Sequence, residues 1–564
     1  EPIKGLKALP VLLRFDVKDD GRKKVRMCGR GDLQETVYGE TSSSVVSKVA
    51  LRILLTDAAR EDKEMISFDF SQAFTNSTLP KDYKSYLRIP KGFKRRDGTT
   101  VTGECWWDSK MWLYGQKEAG YQWELVLGGT LRDLGFIPSL KDPQIFTRIE
   151  KDGTATRIGV HVDDGLITGD QDTIKEVLQK LGAKWKMTSE EAKLYTGWNI
   201  FRDRKKKIIY VNQRDYIEKV KNEFGPLPQR SYTTPMDNNF DAKVDEGEEC
   251  IEDQVPYGKL IGILLYLTQT RFDILYSTHL LAGFIKGCQR KHWEAAKRIL
   301  FYTVTTKNLC LVLGQRTDSP LVAYADANFM RETKSRSRTG GLLLYFGSPI
   351  AATSAIQRIT SLSTAEAEYV CLNDVAKITM YTRQLLETMG NNLTEPTTIY
   401  EDNQACVQIA STSKVNDRSK HIELRFHSTR EMIANKEIKI EYRSTSEMIA
   451  DIFTKPLGRA KFEGFRADMG LELYSPNTSR DQSQGSDKGY LGVSIVDKGY
   501  LGVSTVGCNN GRKETNIYEV LAEQDQLIDE LMNGNESNEE AVYWSKSKYY
   551  SGRVNKYLRD SIRT

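Results

Sequence analysis

Two adjacent carboxylates, Asp163 and Asp164, stand between the apolar runs Ile158-Gly159-Val160-His161-Val162 and Gly165-Leu166-Ile167-Thr168. That pattern predicts a β-hairpin with the acids at its tight turn. Side by side, two carboxylates repel, and a shared divalent cation relieves the repulsion. A solvated turn is the plainer reading of the pair alone, so the weight falls on whether further acids join it. Met65-Ile66-Ser67-Phe68-Asp69-Phe70 reads as an apolar strand ending in an aspartate. A carboxylate there is costly to bury unless it is satisfied or binds a cation, although an N-cap role is open to it.

A second acidic set follows. Leu321 to Ala327 is a predicted strand carrying Asp326, and Leu342 to Gly347 is a second strand. Leu362-Ser363-Thr364-Ala365-Glu366-Ala367-Glu368 opens a helix with a capping-type start, placing Glu366 in its first turn. Thr398-Ile399-Tyr400-Glu401-Asp402 is a strand meeting a helix at Asp402, and Asp451 lies in a short helical stretch. Each acid alone could be a cap or a solvated group. Four at strand ends and helix starts of one α/β unit point to a metal centre.

The remaining elements position these acids. Leu9 to Val17 and Arg22 to Met27 read as a hairpin whose second arm carries cations, suited to a triphosphate or a nucleic-acid backbone. Residues 44–60 are predicted helical. The stretch from Met111 to Trp123 is turn-like and then helical, with Gly115 and Gly120 allowing close approach by a nucleotide or template. Helix, strand and helix alternate over 171–225, a Pro- and acid-bearing linker spans about 226–254, and 256–300 is strongly helical. From about residue 476 the chain turns rich in Ser, Gly, Asn and charge. It repeats Asp487-Lys488-Gly489-Tyr490-Leu491-Gly492-Val493-Ser494 at 497–504, and an amphipathic helix is predicted at about 515–533. No chemistry is assigned to this tail.

At 564 residues the chain needs several cores. Its 39% hydrophobic and 28% charged shares suit a globular protein, and a net charge of +5 is compatible with nucleic acid without demanding it. No run is long enough to span a bilayer and no signal peptide is legible. The eight cysteines are scattered with no Cys-x-x-Cys, which fits a reducing compartment better than a disulfide framework. The chain opens on Glu1-Pro2 without Met, as a fragment or processed product would.

Taken in order, these motifs resemble the reverse transcriptase–ribonuclease H region of copia-type LTR retrotransposon Pol polyproteins, over about residues 8–472. The segments that carry the resemblance include Ser67-Phe68-Asp69-Phe70-Ser71-Gln72-Ala73-Phe74, Leu113-Tyr114-Gly115-Gln116-Lys117, Val162-Asp163-Asp164, Tyr324-Ala325-Asp326-Ala327, Ser363 to Tyr369, Glu401-Asp402-Asn403-Gln404-Ala405, Ser419-Lys420-His421-Ile422-Glu423 and Ala450 to Leu457.

The resemblance implies a multidomain α/β and α+β chain. Fingers and palm would span 1–225, thumb or connection helices and a linker 226–310, and a ribonuclease H-like α/β domain 311–472. A disordered or weakly ordered tail would span 473–564. It implies RNA-directed DNA synthesis with ribonuclease H activity, copying retrotransposon RNA and degrading the RNA of the hybrid. Asp69, Asp163 and Asp164 would form one catalytic metal site, and Asp326, Glu366, Asp402 and Asp451 the other. Each would hold two Mg2+, with Mn2+ as the alternative ion. Lys24, Arg26, Phe74, Tyr114 and Gly115 would meet the incoming nucleotide, with Phe74 excluding a 2′-hydroxyl.

The implied partners are an RNA template, a DNA primer, the RNA–DNA hybrid, dNTPs and other element-encoded proteins, with no membrane. The implied location is a cytoplasmic virus-like particle with access to the nucleus. Departures from the family pattern are His161 in place of Tyr or Phe, Gly120 in place of Pro, and no loop histidine between Glu437 and Asp451. Neither a protease Asp-(Ser/Thr)-Gly signature nor an integrase His/Cys pattern is present. The competing expectation is a decayed or domesticated element that binds nucleic acid without polymerising.

Overall fold

The structure is a computed structural model that describes residues 7–17, 21, 23–35, 38–94, 98–226, 231–329, 336–411 and 423–474. The repeat-bearing tail, its amphipathic segment and His421 lie outside the described residues. The described chain is mixed α/β with four sheets. The predicted hairpin is present as strands Leu9–Val17 and Lys23–Gly29, antiparallel and extended by Ser85–Arg88 and Trp106–Ser109.

The first acidic set lies on a six-stranded sheet. Its central strands are Glu64–Phe70, Asp164–Gly169 and Ala155–His161, all antiparallel. Helix Ala119–Asp133 and helix Gln171–Lys184 cover it. Phe70, Trp123 and Trp185 pack edge-on beneath, with ring centroids 5.0–5.5 Å apart. Such aromatic packing fixes the sheet that carries the acids.

The second acidic set lies on a five-stranded sheet in the order Ser348–Ile356, Arg338–Tyr345, Leu321–Asn328, Thr397–Glu401, Ile438–Tyr442. The first three strands are antiparallel and the last three parallel. Helix Thr364–Thr388 packs across it through Val375, Cys371 and Leu372.

The expected unit boundaries are crossed by strand pairing. Leu309–Gly314 pairs with Ile208–Asn212 on one side and with Leu471–Leu473 on the other. Residues from all three expected units therefore share one sheet. Helix Lys48–Arg60 is the hub of the molecule, its residues Ala50 to Ala59 all buried. Ser47 caps it through the N–H of Ala50 at 3.1 Å. Arg52 donates to the carbonyls of Ile350 and Gln269 at 2.8 and 2.6 Å. Asp57 accepts from Tyr345 at 2.9 Å and Asn391 at 2.7 Å. Arg157 stands 3.8 Å from Asp57 and donates to the Met389 carbonyl at 2.8 Å. This buried polar seam locks the two acid-bearing units together.

The 226–254 linker is packed rather than loose where described. Met236 and Ile251 enter the core, and the Gln289 side chain donates to the Asp245 carbonyl at 2.8 Å. Helices Tyr257–Leu267, Leu275–Ala282 and Arg290–Thr305 follow. No helix among the described residues is long and apolar enough to cross a membrane.

Candidate metal centres

In the first centre Asp69 and Asp164 are direct partners in the antiparallel register, and Asp163 sits in the two-residue turn between Ala155–His161 and Asp164–Gly169. Val162 in that turn has φ +63°, a conformation that β-branched residues resist at about 1–3 kcal/mol. It is held by Trp123, whose indole N–H donates to the Val162 carbonyl at 2.8 Å, and by the Phe70 N–H donating to the Asp163 carbonyl at 2.9 Å. Gly165 follows because the Phe68 ring crosses that strand. A Cβ at Gly165 would stand 2.1 Å from Phe68 Cζ.

Burial and the charges of Asp163 and Asp69 push the Asp164 carboxyl up to about 7. Burial and the same two aspartates push the Tyr114 phenol up to about 12. The Tyr114 and Phe74 rings are 4.6 Å apart, so both aromatics lie beside the acids. Lys24 and Arg26 are exposed on strand Lys23–Gly29, and the Arg26 charge reaches Tyr114.

Gly115 does allow a close approach, but by this chain's own backbone. It has φ +87°, and a Cβ there would lie 2.2 Å from the Gly29 carbonyl. The Gly29 N–H donates to the Tyr114 carbonyl at 2.7 Å. The hairpin is thereby pinned onto the Tyr114 loop. Gly120, expected in a turn, lies in the first turn of helix Ala119–Asp133 against Ser43. His161 ends its strand opposite Asp164.

In the second centre one carboxylate oxygen from each of Asp326, Glu368 and Asp402 lies within 4.8 Å of the others. The parallel register explains two of them. Ala325 pairs with Glu401, so the next residues, Asp326 and Asp402, emerge side by side. Asp451 comes from the short helix Ile449–Phe453 and is fully buried. Burial first, then the charge of Asp451, pushes the Asp326 carboxyl up to about 7; Lys455 and a hydrogen bond from Thr454 oppose the rise. Thr445 donates to Asp402 at 2.7 Å.

Glu366 is not in this trio. Its carboxylate accepts from the Leu362 N–H at 2.7 Å while its own N–H donates to Ser363 Oγ at 3.2 Å, so it caps the helix. Glu368, two residues on, is turned about 200° around the helix and faces the sheet, accepting from the Ala327 N–H at 2.7 Å. The signal was present in the sequence: Glu368 shares a helical stripe with Cys371, Leu372 and Val375. Glu401 was also missed. It follows Thr397 and Ile399 on the inward face of its strand, and burial raises its carboxyl well above the usual range. His427 lies on helix Glu423–Ala434.

Crowded carboxylates of this kind, buried at Asp326, Glu368 and Asp451 and partly exposed elsewhere, fit divalent cations. Without one, burial and mutual repulsion drive some of them to hold protons.

The family model and the curated relatives agree with the motifs. Residues 3–238 match the family model of the reverse transcriptase (RNA-dependent DNA polymerase). The chain is 29% identical over 486 residues to the retrovirus-related Pol polyprotein from transposon TNT 1-94 of Nicotiana tabacum, covering 83% of this chain and 36% of that protein. It is 29% identical over 460 residues to the corresponding polyprotein from transposon RE1 of Arabidopsis thaliana, covering 81% and 31%. The resemblance to copia-type Pol polyproteins is thus borne out, and the chain spans about a third of the length of these curated relatives. Among solved structures it is similar to a foamy viral protease-reverse transcriptase in complex with an RNA/DNA hybrid, at 14% identity and TM-score 0.40 over 78% of this chain and 51% of that one. Another similar structure is the ribonuclease H1 LC11, at 12% identity and TM-score 0.20 over 24% and 93%.

Proposed function

We propose that this chain is an RNA-directed DNA polymerase joined to a ribonuclease H, copying a retroelement RNA into DNA and removing the RNA of the hybrid. The observation that carries this reading is the pair of separate carboxylate centres in one chain, the first open to solvent at Asp69 and the second built around the buried Asp326 and Asp451. The first lies beside Phe74 and Tyr114 within the stretch that matches the reverse transcriptase model. The other is built on its own α/β sheet.

The Asp69 sheet would be the palm, the Leu9–Gly29 hairpin part of the fingers, and the helices over 257–305 the thumb. Asp69 and Asp163 would hold the ions, with Asp164 in support. Phe74 would lie under the sugar and exclude a 2′-hydroxyl, while Tyr114 would border the nucleotide. Lys24 and Arg26 would meet its triphosphate. Gly115 supports this surface by seating the hairpin.

In the second centre Asp326, Glu368, Asp402 and Asp451 would hold the ions, Glu368 taking the place expected of Glu366. When bound at these centres, Mg2+ would make a hydroxyl or water more acidic and neutralise charge building on a phosphate. The substrates would be dNTPs on a primed RNA template and RNA paired with DNA, read by shape and the 2′-hydroxyl. The place of action would be a virus-like particle in the cytoplasm.

Primer extension on poly(rA)–oligo(dT) with Mg2+, followed by cleavage of the labelled RNA strand, tests the reading. Both products are expected. Folded protein that yields neither contradicts it and favours a nucleic-acid-binding remnant.

A further inference from the structure

We propose that Lys455 is a built-in counter-ion of the second centre that competes with a divalent cation, whereas Lys461 is a strut that stays in place. The inference rests on the metal-binding reading of that centre.

Asp451 is fully buried, and each of its carboxylate oxygens faces an ammonium at 2.5 Å: Lys455 at Oδ1 and Lys461 at Oδ2. The two contacts differ in kind. Lys461 donates a hydrogen bond to Oδ2 and a second to the Thr445 carbonyl at 3.2 Å. Thr445 in turn donates to Asp402 at 2.7 Å. Lys461 therefore ties Asp451 to the segment that orients Asp402. Lys455 pairs with Oδ1, and among the described residues no other donor reaches that buried oxygen. The charges of Asp326 and Asp402 also act on Lys455.

This ammonium caps an oxygen of Asp451, one of the acids proposed to hold the ion, and lies within the field of Asp326 and Asp402, two of the three carboxylates that come within 4.8 Å of one another. A Mg2+ ion would bind oxygens at about 2.0–2.1 Å, and an ammonium held at the same carboxylate repels it as a like charge. The Lys455 side chain is 36% exposed, so its head can move into water while its stem stays packed. Lys455 thus neutralises the buried acids when no ion is bound and sets a competition that lowers apparent metal affinity.

The test is a calorimetric Mn2+ titration of the full chain, in an Asp163→Asn background that disables the first centre. Thermal melts in EDTA accompany it. Lys455→Met is expected to bind the ion ~3- to 10-fold more tightly and to melt earlier than its parent in EDTA. Lys461→Met is expected to bind it more weakly, because Asp402 loses its orientation. Lys455→Gln is a second, polar variant expected to follow Lys455→Met. Affinity that is unchanged or weaker in both Lys455 variants overturns the counter-ion role. A parent that binds no ion, with Glu368→Gln indistinguishable from it, overturns instead the metal-centre reading beneath it.

Discussion

Asp69 and Asp164 face one another directly across two antiparallel strands, with Asp163 in the adjoining turn. Their repulsion makes metal-free stability depend on pH. The Asp164 and Asp326 carboxyls titrate near 7 in the folded chain, against about 3.9 when unfolded. Between those values the folded state holds protons that the unfolded state has released. Stability contributed by these groups therefore falls as pH rises from about 4 to about 7, and the penalty is complete above that window. Melts in EDTA should show a declining transition temperature over this range, flattened by Asp164→Asn plus Asp326→Asn. Mg2+ should restore stability at pH 8. A slope unaffected by the double substitution would contradict this origin.

Glu366 and Glu368 should separate cleanly. Glu368→Gln is expected to reduce RNA-strand cleavage by ~100-fold or more while leaving the fold intact. Glu366→Ala removes a helix-cap acceptor, with an expected loss of about 0.5–1 kcal/mol and cleavage within a few-fold of the parent. Denaturant unfolding and single-turnover cleavage measure the two effects. The reverse ranking would return Glu366 to the centre.

This pair shows where sequence reading reached and where it stopped. Strand ends placed Asp69, Asp326 and Asp402 because a carboxylate closing an apolar strand is visible in the pattern. The Asp163-Asp164 turn was legible for the same reason. Choosing between Glu366 and Glu368 required the helix phase against the sheet; a capping box drew the choice to Glu366, whereas Glu368 is the one that stands with Asp326 and Asp402. Glu401 was hidden by its neighbour, although strand alternation places it inward. The sheet joining Ile208–Asn212, Leu309–Gly314 and Leu471–Leu473 was not legible. Its strands are far apart in the chain, and no local period records which distant strand pairs with which.

Gly115→Ala tests the seating of the hairpin. It combines a left-handed φ of +87° with a Cβ 2.2 Å from the Gly29 carbonyl. A loss of about 1–3 kcal/mol is expected. Extension should show a raised KM for dNTP, because the hairpin and Tyr114 move apart, while RNA cleavage should persist. An unchanged KM would mean that the hairpin does not approach the nucleotide.

Arg157→Met tests the seam between the acid-bearing units. It takes the guanidinium from Glu61 and from beside Asp57, which keeps Arg60, Tyr345 and Asn391, so a loss of about 1–3 kcal/mol is expected. The Met389 carbonyl also loses its donor. Calorimetry should show a lower and broader transition, with both activities becoming heat-labile together. Loss of one activity alone would indicate units that are only loosely coupled.

The central claim is that two independent carboxylate centres perform two reactions. Asp163→Asn and Asp402→Asn, each assayed for primer extension and RNA cleavage on the same labelled hybrid, test it most directly. Asp163→Asn should lose extension and keep cleavage, and Asp402→Asn should do the opposite. If the parent is active and either substitution abolishes both reactions in folded protein, or neither affects any, the assignment of two separate centres is contradicted.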